Sequence, residues 1–409
     1  MGRFIILRDT NAPFRSMRPR IRFGLEALGV TDGPMGAMGD VPPSPTLETA
    51  EMSAVEAHRL QNDPSVAAIA RDMPTRLIAP MNKGADAAQA TGPTWGVSRV
   101  GADTSPFDGA GIRVAVLDTG IDADHPAFAG VTLTEKDFSG AGNGDPQGHG
   151  THCAGTVFGR DVDGVRIGVA PGVTDALIGK VLGDDGSGSS TMLFDGMKWA
   201  FDSGARVMSM SLGFDFPGLS QRLVEEGFPV DLATSISLEA YRMNLRVFDR
   251  MMAMFDAMAA FSGGAVVVAA SGNESKRDED PDYEVSVSVP AVADGIVSVG
   301  ALGEAQGGQL SVAPFSNTNP SLSAPGVDVV SAATGGGLVS FNGTSMATPH
   351  VAGLAALWWQ ALSQAPVPQS HHAVKARLVT SARTDVFTPG TDIADRGHGL
   401  AQAPSAALS

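Results

Sequence analysis

The sequence predicts an α/β protein, a mostly parallel, doubly wound sheet with helices on both faces, preceded by a small α+β unit at the N-terminus. Three observations lead there. From Gly111 onward, apolar β-branched runs alternate with helical patterns, the order that parallel strands and their crossover helices require. Residues 81–93 are small and polar with no hydrophobic period, and so part the first 80 residues from the remainder. The 409 residues, 43% of them hydrophobic, suffice for one large core and a smaller companion.

Residues 4–7, Phe-Ile-Ile-Leu, read as a strand in the first unit, 1–80. Ser53 followed by Glu56 is a capping box that opens a short helix reaching Leu60. Asp63-Pro64 breaks that helix, and residues 66–70 return as a strand. Residues 33–45, rich in Gly, Pro and Met, read as a loop within this unit. The linker 81–93 is where a processing cut would fall, because a protease threads exposed mobile backbone. The third unit, 94–409, carries strands at 112–117, 176–182, 206–210, 265–271 and 295–301, and helices from 149, at 190–203 and at 345–360.

Forty-four acidic against 28 basic residues leave a net charge of −16, which repels phosphate backbones and anionic headgroups. Neither nucleic acid nor a membrane is expected as a partner. No apolar run approaches the length that spans a bilayer, so a soluble protein is expected. Cys153 is the only cysteine, which excludes an intrachain disulfide and a cysteine-based zinc site. The first eight residues hold a four-residue apolar core followed by charge, unlike a secretory signal. The compartment expected is the cytoplasm, or the exterior if a leader has been removed.

Chemistry concentrates at three places. Residues 342–350, Asn-Gly-Thr-Ser-Met-Ala-Thr-Pro-His, tip Ser345 into the first turn of a long buried helix, its hydroxyl at the positive end of the macrodipole. A serine hydroxyl is a weak nucleophile until a neighbouring base takes its proton. His149 lies in a glycine-flanked entry to a small-residue helix, and Asp118 ends the strand 112–117, at the sheet edge where open α/β folds build sites. Singly, these are an ordinary turn former, polar group and N-cap. Jointly, the chain order Asp, His, Ser is that of subtilisin and not of chymotrypsin or the α/β-hydrolases.

Asp118-Thr119-Gly120, the stretch His149 to Thr156 and the stretch Gly343 to Gly353 resemble the three active-site blocks of the subtilisin-like (subtilase, peptidase S8) serine proteases, over residues 93–405. The resemblance implies a serine-type endopeptidase. Ser345 would attack the scissile carbonyl, His149 would carry the proton and Asp118 would orient His149. Activity should fall as His149 protonates near its reference pKa of about 6.5. Residues 265–273 resemble the strand that delivers an oxyanion-hole asparagine, here Asn273, to act with the Ser345 backbone N–H. Ser211, Leu212 and Gly213, with Gly186 and Gly188 opposite, resemble the two edges between which the family clamps an extended peptide. Ala270, Ser271 and Gly272 would form the other wall of the S1 pocket.

The first unit resembles the family's inhibitory propeptide, a module that lays its C-terminal tail into the active site. That implies a self-processing zymogen acting on protein or peptide substrates, with its own propeptide as partner and as a monomer. An accessory domain without inhibitory role is the alternative. The chemistry requires no cofactor. Structural calcium is a family trait, but Ala127 stands where relatives commonly have Asp, and the loop 160–166 offers only Asp161 and Asp163 before Gly164, so no metal site is assigned. Cys153, four residues after His149, resembles the proteinase K branch, and bulky thiol reagents should disturb His149 through it.

Two stretches depart from the family. Residues 214–260 are extended, with Leu238, Leu245, Phe248, Met252 and Phe255 at helical spacing, which suggests core packing before a docking face. The run 274–284 carries five carboxylates from Asp278 to Glu284; solvated surface is the default, and a preference for basic substrate residues or a calcium ion the alternatives. A peptide ligase passing the same acyl-enzyme to an amine, and an inactive peptide-binding homologue, would share these motifs; mass spectrometry of the products separates them from a protease.

Overall fold

The computed structural model describes residues 2–9, 45–82, 85–86 and 91–406. At its N-terminus, β1 (Gly2–Arg8) is the centre of a three-stranded antiparallel sheet, flanked by β2 (Thr46–Met52) and β3 (Val66–Arg71). Phe4, Ile5, Ile6 and Leu7 are all buried, in one core with Ala57 and with apolar side chains of the larger unit. Ala57 belongs to α1 (Ala54–Leu60), whose start is fixed by the capping box: Glu56 N donates to Ser53 Oγ (3.3 Å) and Ser53 N to Glu56 Oε2 (2.8 Å).

The larger unit is the expected doubly wound sheet. β7 (Val114–Asp118), β8 (Thr132–Asp137), β10 (Asp175–Lys180), β12 (Val207–Met210), β14 (Val266–Ala270), β15 (Ile296–Glu304) and β17 (Leu322–Pro325) run parallel, and β16 (Leu310–Val312) closes one edge antiparallel to β15. The spatial order is β16-β15-β14-β12-β7-β10-β8, with β17 also on β15. Successive residues of a strand point to opposite faces. Val114, Val116, Val207, Val266 and Val268 therefore meet one pair of helices, α3 (His149–Phe158) and α7 (Thr344–Ser363). Ala115, Leu117, Met208, Met210 and Val267 meet α4 (Ser190–Asp202) and α6 (Val230–Ser262) on the other face. Both faces are covered, so these strands read in the sequence as unbroken apolar runs.

α6 follows the short α5 (Phe216–Glu225) and has 33 residues, about 50 Å at 1.5 Å per residue. Its buried stripe is Ala240, Met243, Val247, Phe248, Met251, Met252 and Phe255. Phe201 and Phe255 stack at 4.0 Å and Phe194 packs on Phe248 at 4.5 Å. The expected stripe needs one correction: Leu238 is 54% exposed, because it lies about 80° round the helix from Phe248. The extended segment is core packing, and it also seats the N-terminal unit: Asn244 Nδ2 donates to the backbone carbonyl of Arg71 on β3 (2.9 Å).

Smaller ladders complete the unit. β4 (Pro74–Leu77) lies between β11 (Ser187–Ser189) and β13 (Leu212–Phe214). β19 (Leu338–Phe341) pairs with β18 (Val329–Ala332) and with β5 (Ala85–Asp86), and β6 (Gly92–Pro93) pairs with β9 (Val165–Arg166) just before α2 (Trp95–Arg99). Two pieces of the expected linker are thus paired backbone. Residues 83–84 and 87–90 of it, and 33–44 of the expected loop, lie outside the described residues. The C-terminal part includes α8 (His371–Thr380), packed against α7. Among the described residues no helix is long and apolar enough to cross a membrane.

Candidate active site

Asp118 is the last residue of β7 and His149 the first of α3, so the fold delivers both to the carboxyl edge of the sheet. Asp118 Oδ1 lies 2.8 Å from His149 Nδ1 and also accepts the Thr119 N–H at 2.8 Å. Both side chains are 1% exposed. Burial alone would push the imidazole pKa down; the adjacent Asp118 charge outweighs it and holds His149 well above the ordinary histidine range. The reference value expected from the sequence is therefore corrected upward.

Two glycines make this approach possible. A Cβ on Gly150 would stand 2.2 Å from the Gly120 carbonyl oxygen, and one on Gly120, at φ +111°, would stand 2.1 Å from that of Gly144. A side chain at position 150 would part α3 from the turn after β7, and one at position 120 would part that turn from Gly144.

The sequence reading missed two buried charged groups beneath the pair. Asp145, 4% exposed, is a hub: Oδ1 accepts Thr119 Oγ1 (2.7 Å) and Gly148 N (2.9 Å), and Oδ2 accepts Thr151 N (2.8 Å) and Thr151 Oγ1 (2.7 Å). Thr119 Oγ1 in turn accepts the Gly150 N–H at 2.9 Å. One carboxylate thus ties the turn carrying Asp118 to the helix start carrying His149. Lys180, 2% exposed, donates through Nζ to the carbonyls of Thr119 (2.8 Å) and Gly144 (3.0 Å) and to Asp184 Oδ1 (2.6 Å). The available signal was weak: an acid four residues before His149, and a lysine inside an apolar strand.

Ser345 stands at the second position of α7 and is fully buried. Its Oγ donates to the Ile78 carbonyl at 2.9 Å, with the Ser211 carbonyl at 3.4 Å. His149 Nε2 is buried and, among the described residues, has no hydrogen-bond partner. Cys153 lies between the two, its Sγ 3.7 Å from His149 Nδ1 and 3.5 Å from the Ser345 carbonyl oxygen, and burial pushes its thiol pKa up. Asp118, His149 and Cys153 are close enough together to hold a metal ion, but all three are buried. His152 bonds the Val329 carbonyl (3.0 Å) and His350 that of Met346 (2.8 Å); burial lowers them to about 3 and about 4, which leaves both neutral.

Asn273 follows β14. Its Oδ1 accepts Thr344 N (2.9 Å) and Thr344 Oγ1 (2.8 Å), which fixes the amide so that Nδ2 points into the cleft and donates to the Ala79 carbonyl at 3.1 Å. Ala270, Ser271 and Gly272 are buried leading into it, and Gly272 N donates to Thr344 Oγ1 at 3.3 Å.

The remaining expected residues border a strand that the chain itself supplies. In β4, Arg76 faces Ser187 on one side and Gly213 on the other, Thr75 faces Gly188 and Phe214, and Leu77 faces Leu212. Leu77 N donates to the Gly186 carbonyl at 2.8 Å. The Ile78 side chain lies against Gly213, 3.5 Å from where a Cβ would stand. Beyond Ser345 the chain continues across the site: Met81 N donates to the Asn342 carbonyl (2.7 Å), and Asn342 N to Asn82 Oδ1 (2.8 Å). Of the acidic run, Glu274 approaches this strand, with Arg76 3.9 Å away, and Asp215 is 3.4 Å from the same guanidinium. Elsewhere in the run, Arg277 binds Glu284 and Asp395, and Lys276 binds Glu279.

Known proteins match this chain. The model of the Subtilase family (peptidase S8) covers residues 109–400. An intracellular serine protease of Paenibacillus polymyxa is 34% identical over 61% of this chain and 67% of its own length. A thermostable alkaline protease of Halalkalibacterium halodurans is 33% identical over 75% of this chain and 71% of its own. Subtilisin Savinase of Lederbergia lenta is 36% identical over 64% of this chain and 82% of its own. Agreement over so much of the sequence makes the protein a member of the subtilase family, a serine-type endopeptidase on the family's α/β fold.

Proposed function

We propose that this endopeptidase is a self-processing zymogen, with Ser345 as nucleophile, His149 as general base, Asp118 as its orienting partner, and residues 2–78 as a propeptide whose last strand is the first substrate. The observation that carries the reading is the 2.9 Å contact between Ser345 Oγ and the Ile78 carbonyl, at the end of a strand hydrogen-bonded on both edges. An antiparallel ladder of this kind recognises backbone more than side chain, so peptides in general can take the same place.

In the reaction, the Ser345 O–H turns from the Ile78 oxygen to His149 Nε2, which has no other partner. Oγ bonds to the Ile78 carbonyl carbon while its proton passes to Nε2, and the imidazolium formed is stabilised by Asp118. The oxyanion moves towards the Ser345 N–H and towards Asn273 Nδ2, which must release the Ala79 carbonyl to receive it. Nε2 then gives the proton to the Ala79 nitrogen, the C–N bond breaks, and water releases the acyl group by the same steps in reverse. Loss of the corresponding donor in a subtilisin, a relative, lowers kcat by about 10²–10³. While uncut, the strand keeps the serine hydroxyl from its base and fills the cleft, which accounts for inhibition. The proposed bond, Ile78–Ala79, lies just ahead of the stretch 81–93 where composition suggested a cut.

N-terminal sequencing of the purified protein beside its Ser345→Ala variant tests this. The expected result is a chain starting at Ala79 in the wild type and an uncut chain in the variant. Cutting that persists in the variant, or a stable start elsewhere, overturns the reading.

A further inference from the structure

Far along α6 from the segment that seats the N-terminal unit, Asp256 meets the first two residues of α8. His371 Nε2 lies 3.1 Å from Asp256 Oδ1, and His372 Nε2 lies 2.7 Å from the same oxygen. All three donor atoms fall within 4.8 Å of one another, and the two imidazole centroids are 4.0 Å apart. None of these residues takes part in the chemistry described above.

The local structure holds the pair in place. Ser370 Oγ accepts the Ala373 N–H (3.2 Å) and fixes the start of α8, and His371 N donates to the carbonyl of Gly263, the left-handed residue that ends α6 (3.3 Å). The His371 ring lies against Gly264, where a Cβ would stand 2.3 Å from its Nδ1. That Nδ1 is buried with no partner among the described residues, and the residue is 4% exposed, so Nε2 makes the ring's polar contact and faces Asp256. His372 and Asp256 are 64% and 51% exposed and leave the cluster open to solvent.

We propose that Asp256, His371 and His372 form a three-ligand site for a divalent transition-metal ion of the zinc class, with water completing the shell. An ion about 2.1 Å from each donor requires neighbouring donors about 2.9–3.4 Å apart, and the two observed separations lie near that range. Two imidazoles with one carboxylate select zinc, nickel, copper or iron over calcium and magnesium, which demand oxygen ligands. Lys375 is an opposing charge nearby, and its Nζ is turned to the Gly295 carbonyl at 3.3 Å. The ion would staple the end of α6 to α8.

The test uses untagged, metal-stripped full-length Ser345→Ala protein, which does not digest itself, titrated with zinc chloride by calorimetry and with cobalt chloride by visible absorption. The expected result is one saturable zinc per chain, weakened by about tenfold or more in both His372→Ala and Asp256→Asn. Zinc should also raise Tm by a few degrees in the parent and not in the variants, whose zinc-free Tm stays that of the parent. Cobalt should give visible bands without the near-ultraviolet band of a thiolate, which would report Cys153 instead. Unchanged zinc affinity in both variants, a thiolate band, or no saturable binding overturns the assignment.

Discussion

Removing the Asp145 carboxylate should cost both stability and rate, although the group touches neither His149 nor Ser345. Asp145→Ala leaves the N–H groups of Gly148 and Thr151 without acceptors in a region with 4% exposure, while the hydroxyls of Thr119 and Thr151 can turn elsewhere. Hydrogen bonds to a charged partner contribute about 1.5–3 kcal/mol each, so the two together come to about 3–6 kcal/mol. That is a large share of a domain's usual stability of about 5–15 kcal/mol. Asp145→Asn keeps the shape but turns an amide N–H towards one of these donors, and should lose about 1–3 kcal/mol. Urea unfolding in a Ser345→Ala background, free of self-digestion, measures both losses. Activity should fall further, because Gly148 is the N-cap of the helix that begins with His149, and displacement of a reacting group by about 1 Å costs on the order of 10²-fold. An Asp145→Ala protein within about 0.5 kcal/mol of its parent, with unchanged kcat/KM, would refute the role given to this carboxylate.

Other outcomes follow from the same geometry. Because Asp118 raises the His149 pKa, the base is neutral and competent only above that raised value; kcat/KM of processed enzyme should drop as pH falls through it, with the acid limb above the reference of about 6.5. An acid limb well below pH 6 would contradict this. Gly150→Ala should fold poorly or lose about 1–3 kcal/mol, since its Cβ would meet the Gly120 carbonyl at 2.2 Å; normal urea stability would show that α3 can retreat cheaply. Arg76→Glu replaces two surface attractions, to Asp215 and Glu274, by repulsions, and should loosen the cleft strand about two- to tenfold, read as faster release of activity from the zymogen. A mercurial bound at Cys153 should suppress turnover, as the thiol lies 3.7 Å from His149 Nδ1; full activity after confirmed labelling would rule that out.

The sheet was readable because strands covered on both faces carry their own signal: the runs expected at 112–117, 206–210 and 265–271 fall on β7, β12 and β14. The candidates Asp118, His149, Asn273 and Ser345 rest on local motifs at strand ends and helix starts. What escaped depends on distant partners. β2 is an edge strand whose inward residues Leu47, Ala50 and Met52 break the period of two, so pattern could not find it. The role of Asp145 depends on Thr119, 26 residues away on the turn after β7, meeting it at the start of α3. The approach of His371 and His372 to Asp256 joins positions more than a hundred residues apart, and a His-His dipeptide alone says nothing of a third ligand.

The path of residues 74–86 constrains what scission can accomplish. Upstream of the proposed cut the backbone is zipped between β11 and β13, and downstream it is moored to Asn342 and β19. Severing one link of a belt buckled on both sides does not make it fall away: the fresh amine and the acyl carbon stay neighbours, at an effective concentration of millimolar order or higher. If the bond is cut as proposed, resealing competes with hydrolysis, and the clipped strand is expected to leave its own cleft slowly. If the chain is a zymogen as proposed, the pace of activation is set by how fast the severed strand β4 leaves β11 and β13, a step separate from the chemistry of the bond that is broken.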